Sequence, residues 1–153
     1  MTKDDCIFCK IVAGSAPSHK VYEDDTHLAF LSIFPNTEGF TVVIPKEHHD
    51  SYFAKVPDGV LCALLGAVRT VALKIDTAFP DVGRTGLIFE GFGADHLHAK
   101  LVPMHGTEGG TWERHASSER KFFSQYSGYI SSHDSERADD TELALVAEKI
   151  RAA

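Results

Sequence analysis

The feature of this sequence that most constrains its fold is an alternation of polar and apolar residues over positions 95–103, which read DHLHAKLVP. Alternation with a period of two predicts a β-strand with one buried face. On such a strand His96, His98 and Lys100 share one face, with about 7 Å between neighbours, and the apolar residues between them face a core. A purely structural strand has little reason to place two imidazoles and an ammonium in a row. An exposed edge strand with chance histidines is the alternative.

The rest of the chain predicts an α+β fold. In chain order the sequence predicts a short helix before Gly14, strands at 20–23, 27–33 and 40–44, a long helix at 58–78, strands at 85–90 and 95–103, and a terminal helix at 140–150. Asp58 is the predicted N-cap of the long helix, and Cys62 on that helix is expected to be a small buried hydrophobe. Links of hairpin length favour an antiparallel sheet of about five strands, with the long helix and the C-terminal helix packed on it.

Length and charge exclude several classes of protein. The 153 residues suffice for a single domain, residues 1–153, with a core of its own. The 22 acidic residues outnumber the 15 basic ones, and the resulting formal net charge of −7 argues against binding to nucleic acid or to an anionic membrane. No apolar run is long enough to cross a bilayer, and the N-terminus lacks the apolar stretch of a signal peptide. Two of the three cysteines form a C-x-x-C pair, which favours a reducing compartment and therefore a cytoplasmic protein.

The segment 104–140 is long for a loop in a compact domain. The segment contains four aromatic residues, Phe122, Phe123, Tyr126 and Tyr129. They predict that the segment is packed and not free in solvent, and a short helix, a lid and a partner subunit are the candidates for this packing. Trp112 in the same segment is a candidate for a dimer contact or for a pocket rim, and the sequence does not decide between them.

A zinc site is the first chemical prediction. Cys6 and Cys9 have the C-x-x-C spacing that supplies two of the four ligands of tetrahedral zinc. Because there is no second C-x-x-C, the other two ligands would be histidines, and the candidates are His48 after the third strand and His96 on the last. Such a closed site would be structural. The alternatives are a redox pair, which no thioredoxin-like pattern supports, and two ordinary cysteines.

A histidine nucleophile is the second chemical prediction. If His96 binds a metal, His98 remains on the same face of the strand. A neutral imidazole with one nitrogen held by a hydrogen bond and the other bare can attack phosphorus. Lys100 would then offset phosphate charge, and the Gly-Phe-Gly turn at 91–93 could bring backbone amides close. An open catalytic metal site made of His48, His96 and His98 is the competing interpretation.

Three blocks together resemble the histidine-triad (HIT) superfamily: CIFC at 6–9, IPKEH at 44–48 and HLHAKL at 96–101. The resemblance covers about residues 6–103, leaves 104–153 as a C-terminal extension, and is strongest to Hint-like phosphoramidases and bacterial HIT proteins. It implies an α+β homodimer that cleaves a phosphoanhydride or phosphoramidate bond at the α-phosphate of a nucleotide conjugate. The middle histidine, here His98, would carry the nucleotidyl group. The implied nucleotide contacts are Phe8, Ser32, Ile33 and Gly93, and the implied zinc ligands are Cys6, Cys9, His48 and His96.

The sequence departs from the family pattern at three places. Lys100 stands where the family has its third histidine, and a lysine with a pKa of about 10.4 is a poor proton shuttle at neutral pH. Ser32 stands where the family often has an acidic residue that holds the ribose. The loop before the triad usually carries polar groups that bind the phosphates in this family, but here it carries the carboxylates of Glu90 and Asp95, which would repel phosphate. The alternative function is therefore a zinc-stabilised nucleotide-binding or regulatory protein without turnover.

Overall fold

The computed structural model describes residues 5–109, 121–128, 130 and 135–153. The elements are α1 (Ile7–Val12), β1 (Lys20–Glu23), β2 (His27–Leu31), β3 (Thr41–Pro45), a short 3-10 helix (Phe53–Lys55), α2 (Asp58–Ala78), β4 (Thr85–Ile88), β5 (Ala99–Pro103) and α3 (Asp140–Ala152). The five strands form one antiparallel sheet in the order β1-β2-β3-β5-β4. The predicted α+β class is confirmed.

Helices cover both faces of the sheet, and the central strand β3 and its neighbour β2 are buried along their whole length. One face packs on α2 and α3 through a core that includes Ala29, Leu31, Val43, Leu64, Val71, Ile75, Leu97, Leu101, Ala147 and Ile150. The other face packs on α1 through Ile11, Leu28, Phe30, Val42 and Ile44. Lys100 pairs with Val42 of β3 and Ile88 of β4, so its side chain lies on the α1 face.

The predicted strand at 95–103 is correct only from Ala99 onward. Residues 96–98 are all buried and continue to alternate between the two faces of the sheet, with Leu97 in the α2 core and His98 against Phe8 of α1. They bond to the loop after β3, because the backbone amide of Leu97 donates to the carbonyl of His49 at 2.8 Å. The strands predicted at 27–33 and 85–90 also end two residues early, at Leu31 and Ile88. In the first case the chain turns at Ser32, whose hydroxyl accepts from the backbone amide of Phe34 at 3.2 Å.

Two predictions for the long helix were wrong. Asp58 is its first residue and not its N-cap, since Pro57 occupies the cap and its carbonyl accepts from the amides of the first turn. Cys62 is exposed, because the buried stripe runs along the opposite side of α2 through Leu64, Val71 and Ile75. Among the helices of the described residues, none combines the length and the apolar character that a membrane span requires.

The C-terminal extension is described in part. Asp139 caps α3 by accepting from the amides of Thr141 and Glu142. Of the aromatic residues predicted to pack, Tyr126 stacks on Phe92 with ring centroids 5.5 Å apart, whereas Phe122 is 90% exposed. Tyr129 and Trp112 lie outside the described residues.

Candidate functional site

The two cysteines and two histidines predicted as ligands form one cluster. The donor atoms of Cys6, Cys9, His48 and His96 all lie within 4.8 Å of one another. The sulfur–nitrogen distances are 3.5 Å from Cys6 Sγ to His96 Nδ1, 3.4 Å from Cys9 Sγ to His48 Nδ1 and 3.6 Å from Cys9 Sγ to His96 Nδ1. A tetrahedron with Zn–S near 2.3 Å and Zn–N near 2.0 Å has edges of about 3.5 Å between sulfur and nitrogen. The donor set therefore fits zinc in both chemistry and size.

Three parts of the fold bring these ligands together. Cys6 and Cys9 lie at the start of α1, His48 follows β3, and His96 precedes β5. His96 Nε2 donates to the carbonyl of Pro45 at 2.8 Å, which leaves Nδ1 as the nitrogen that faces the sulfurs. Burial lowers the pKa of His96 to about 4, so the imidazole is neutral, as a ligand must be. His98 is not part of this cluster.

His98 meets the geometric requirements of a nucleophile. Its ring is 2% exposed and lies edge-on to Phe8, with centroids 5.5 Å apart. Its Nδ1 lies 2.7 Å from the carbonyl oxygen of His96 and must donate to it, because a carbonyl can only accept. The proton is thereby fixed on Nδ1, and Nε2 keeps its lone pair. Burial lowers the pKa of His98, which favours the neutral ring.

The sequence identified Glu90 as a charged loop residue but did not predict its place beside His98. Its side chain is 5% exposed, and its Oε1 accepts a hydrogen bond from Lys100 Nζ. The same oxygen lies 3.9 Å from His98 Nε2. Continuing the pairing of Ile88 with Lys100 by two residues places Glu90 opposite His98. The contact between Glu90 and His98 depends on how β4 and β5 are aligned, and the sequence alone does not determine that alignment.

A cavity of about 500 Å³ lies between α1 and the sheet and reaches His98 and Lys100. This volume lies within the range of small-ligand pockets. Most of its lining is apolar, and it includes all four predicted nucleotide contacts: Phe8, Ser32, Ile33 and Gly93. The arrangement offers an apolar pocket for a ring system beside a nucleophile and a cation.

The rim of the cavity is formed by the turn that precedes the histidines. Gly91 and Gly93 have φ values of +73° and +92°, a left-handed conformation that favours glycine. Between them Phe92 is 64% exposed, lines the cavity and stacks on Tyr126. Asp95, the second carboxylate of this loop, accepts from the backbone amide of Ser51 at 3.2 Å.

Comparison with known proteins identifies the family of this chain. The chain matches the HIT domain over residues 13–110. The chain belongs to the HIT family. As a HIT protein it is 38% identical to "Protein hit" of Bacillus subtilis over 120 residues, which is 74% of this chain and 82% of the relative. The predicted family resemblance is thus confirmed.

Two further HIT relatives bear on function and fold. The adenosine 5'-monophosphoramidase HNT1 of Candida albicans is 35% identical over 106 residues, covering 64% of this chain and 69% of that protein. The crystal structure of a Hit-like protein involved in cell-cycle regulation, from Bartonella henselae, was solved with an unknown ligand. It superposes with a TM-score of 0.71 at 26% identity and covers 97% of this chain and 96% of that one.

Proposed function

We propose that this HIT protein is a nucleotidyl hydrolase or transferase that cleaves a phosphoramidate or phosphoanhydride bond at the α-phosphate of a nucleotide conjugate. The observation that carries the proposal is the hydrogen bond from His98 Nδ1 to the carbonyl of His96, because it leaves Nε2 as the nucleophilic nitrogen at the cavity. Nε2 attacks phosphorus, the bond to the leaving group breaks, and that group takes the electron pair. Water then cleaves the phosphorus–nitrogen bond and restores His98.

The cavity supports a nucleotide as the bound group. Phe8 and Ile33 provide apolar surface for the base, and the hydroxyl of Ser32 can bond the ribose. Gly93 and Lys100 line the cavity together with His98, and we propose that the Gly93 backbone amide and the Lys100 ammonium bind the α-phosphate. The 5'-monophosphoramidase activity named for the Candida relative favours the same class of substrate.

We also propose that zinc binds Cys6, Cys9, His48 and His96 as a structural ion. Four protein ligands leave no open position, so this closed site supplies cross-linking and no catalytic water. The cluster ties the start of α1 to the segment that carries His98. It therefore holds one wall of the cavity against the sheet.

We propose that the protein is cytoplasmic. We also propose that it forms a homodimer. Leu65 and Leu73 on the outer side of α2 are 40% and 57% exposed, and Leu87 on the edge strand β4 is 43% exposed. An unpaired edge strand and exposed leucines are both typical of an interface. A second copy of the chain is the partner proposed to cover them.

The second candidate function is nucleotide binding or regulation without turnover. It is favoured by one observation, the position of the Glu90 carboxylate 3.9 Å from His98 Nε2, which places negative charge where a phosphate must approach. In this candidate Lys100 remains paired with Glu90, and the nucleotide occupies the cavity without reacting.

Turnover and binding assays distinguish the two candidates. The substrate is adenosine 5'-phosphoramidate, binding is measured by calorimetry with AMP, and the variants are wild type and His98→Asn. We expect wild type to release AMP, and His98→Asn to bind AMP with similar affinity while its turnover falls at least 10³-fold. Binding by both proteins with equal, background turnover would instead establish the second candidate.

A further inference from the structure

Glu90 is a buried carboxylate to which the proposed function gives no task. Carboxylates are rarely buried unless they are paired, and here Lys100 supplies the pairing charge. The pair lies beside His98 and not at the protein surface, where most ion pairs are found. A structural ion pair does not require its shared oxygen to lie 3.9 Å from the lone pair of a nucleophile.

The distance of 3.9 Å from Glu90 Oε1 to His98 Nε2 is too long for a hydrogen bond but suits a group that acts on the far side of a phosphorus atom. In an in-line displacement the leaving group and the entering water occupy the same place, about 5 Å from the attacking nitrogen. An acid–base group must lie within about 3 Å of that place. A triangle with sides of about 3 Å from Glu90 Oε1 to the water oxygen, 3.9 Å from Oε1 to His98 Nε2 and about 5 Å from Nε2 to the water oxygen is geometrically possible. Glu90 can therefore reach the water without a large movement.

We propose that Glu90 is the general base that activates the water which releases the nucleotide from His98, and that Lys100 positions its carboxylate. This inference rests on the proposed nucleotidyl-His98 intermediate. The water oxygen forms a bond to phosphorus as its proton passes to Glu90 Oε1. The phosphorus–Nε2 bond breaks, and its electron pair returns to the imidazole. The carboxylic acid then gives its proton to solvent.

The same assignment explains the lysine in place of a third histidine. An ammonium is a poor proton shuttle at neutral pH, but it holds a carboxylate oxygen in a fixed direction well. Asp95 does not share this role, because its carboxylate accepts from the amide of Ser51 and so holds the loop. Glu90 and Lys100 thus divide between them what one histidine does alone, proton transfer and positioning.

The test uses the full chain loaded with zinc, mixed rapidly with adenosine 5'-phosphoramidate and quenched in alkali for intact-mass analysis. We expect Glu90→Gln to form the adenylyl adduct at a rate no lower than wild type and to hydrolyse it 10² to 10⁴-fold more slowly. Most of the variant protein then carries the adduct. The matched control is Glu23→Gln, which removes another lysine-paired carboxylate, held by Lys20 and Lys46 at 2.9 Å on β1, the edge strand farthest from β4. It should behave as wild type does.

Two outcomes contradict different claims. If Glu90→Gln hydrolyses the adduct as fast as wild type does, the proposed role of Glu90 is wrong and the proposed function still stands. The absence of an adduct in both proteins would overturn the proposed function itself.

Further variants separate proton transfer from a role in folding. Glu90→Ala should regain hydrolysis of the adduct, by at least ten-fold, when formate is added, because formate supplies the missing carboxylate. No rescue by formate in a folded Glu90→Ala protein would also overturn the assignment. For Lys100, the conservative variant Lys100→Arg should keep most of the hydrolysis rate and Lys100→Met should lose it, whereas equal rates for the two would show that Lys100 does not position Glu90.

Discussion

Removal of the proposed zinc ion should release α1 from the sheet while the rest of the domain stays folded. The helix Ile7–Val12 has six residues, well below the length at which isolated helices are stable. Ordering six residues costs about 6–12 kcal/mol in backbone entropy. Burial of Ile11, which is 6% exposed, and of part of Phe8 returns about 3–6 kcal/mol. Without zinc the balance therefore favours undocking by several kcal/mol.

A four-ligand zinc site reverses that balance. Apparent zinc-binding free energies in small cysteine–histidine domains are about 10–16 kcal/mol, which exceeds the deficit of α1. The main core of the domain lies on the other face of the sheet and contains no residue of α1. Metal loss should therefore affect α1 and the cavity wall, and leave the strands and α2 protected.

Hydrogen exchange measured by mass spectrometry tests this reasoning. With a chelator, or in Cys9→Ser, the amides of Lys10 and Ala13, which bond to the carbonyls of Cys6 and Cys9 at 3.1 and 2.9 Å, should lose protection. Amides of β3 should keep theirs. Cys62→Ser is the matched control, since Cys62 is exposed on α2 and should change neither zinc content nor exchange. Unchanged protection of α1 in a metal-free protein would refute the energetic argument.

Three further predictions follow from particular contacts. Phe8→Ala should raise KM for adenosine 5'-phosphoramidate about 10- to 100-fold in steady-state assays, because the ring packs on His98 and lines the cavity. Burial alone would lower the pKa of His105, but the carbonyl of Glu38 and the carboxylate of Asp81 raise it overall. Protonated His105 therefore adds to the free energy of unfolding. This contribution is fully present below the ordinary histidine pKa of about 6.5 and is lost as pH rises through the raised pKa. The Tm difference between wild type and His105→Gln should accordingly shrink from pH 6 to pH 9. Leu73→Glu should convert the proposed dimer to a monomer in light scattering, whereas an unchanged mass would exclude this face as the interface.

The sequence carries enough to predict the cluster of two cysteines and two histidines and the face of the strand on which His98 lies. Cys6 and Cys9 are spaced for one turn of helix, and His48 and His96 flank two strands that prove to be neighbours in the sheet. Alternation along 95–103 correctly separates the side of His98 from the side of the core, although the regular strand begins only at Ala99. Local periodicity suffices for these features because each depends on one element or on the ends of elements.

Features that depend on register or on contacts between distant segments were not predicted. The ion pair of Glu90 with Lys100 requires the pairing of Ile88 with Lys100 and a turn with two left-handed glycines, and its charge alone suggested only repulsion of phosphate. The exposure of Cys62 follows from which side of α2 meets the sheet, and an apolar stripe as wide as the one in this helix does not determine that side. The stacking of Phe92 on Tyr126 joins the rim of the cavity to the C-terminal extension, and no periodicity connects them.

The central claim is that His98 carries the nucleotide during turnover. Peptide mapping after a rapid alkaline quench of wild type with adenosine 5'-phosphoramidate tests it most directly, because it identifies the modified side chain. The geometry of His98 Nδ1 on the carbonyl of His96 predicts one adenylyl group, on His98, that forms and decays at rates compatible with turnover. Release of AMP with no adduct, or an adduct on any other residue, would contradict the account.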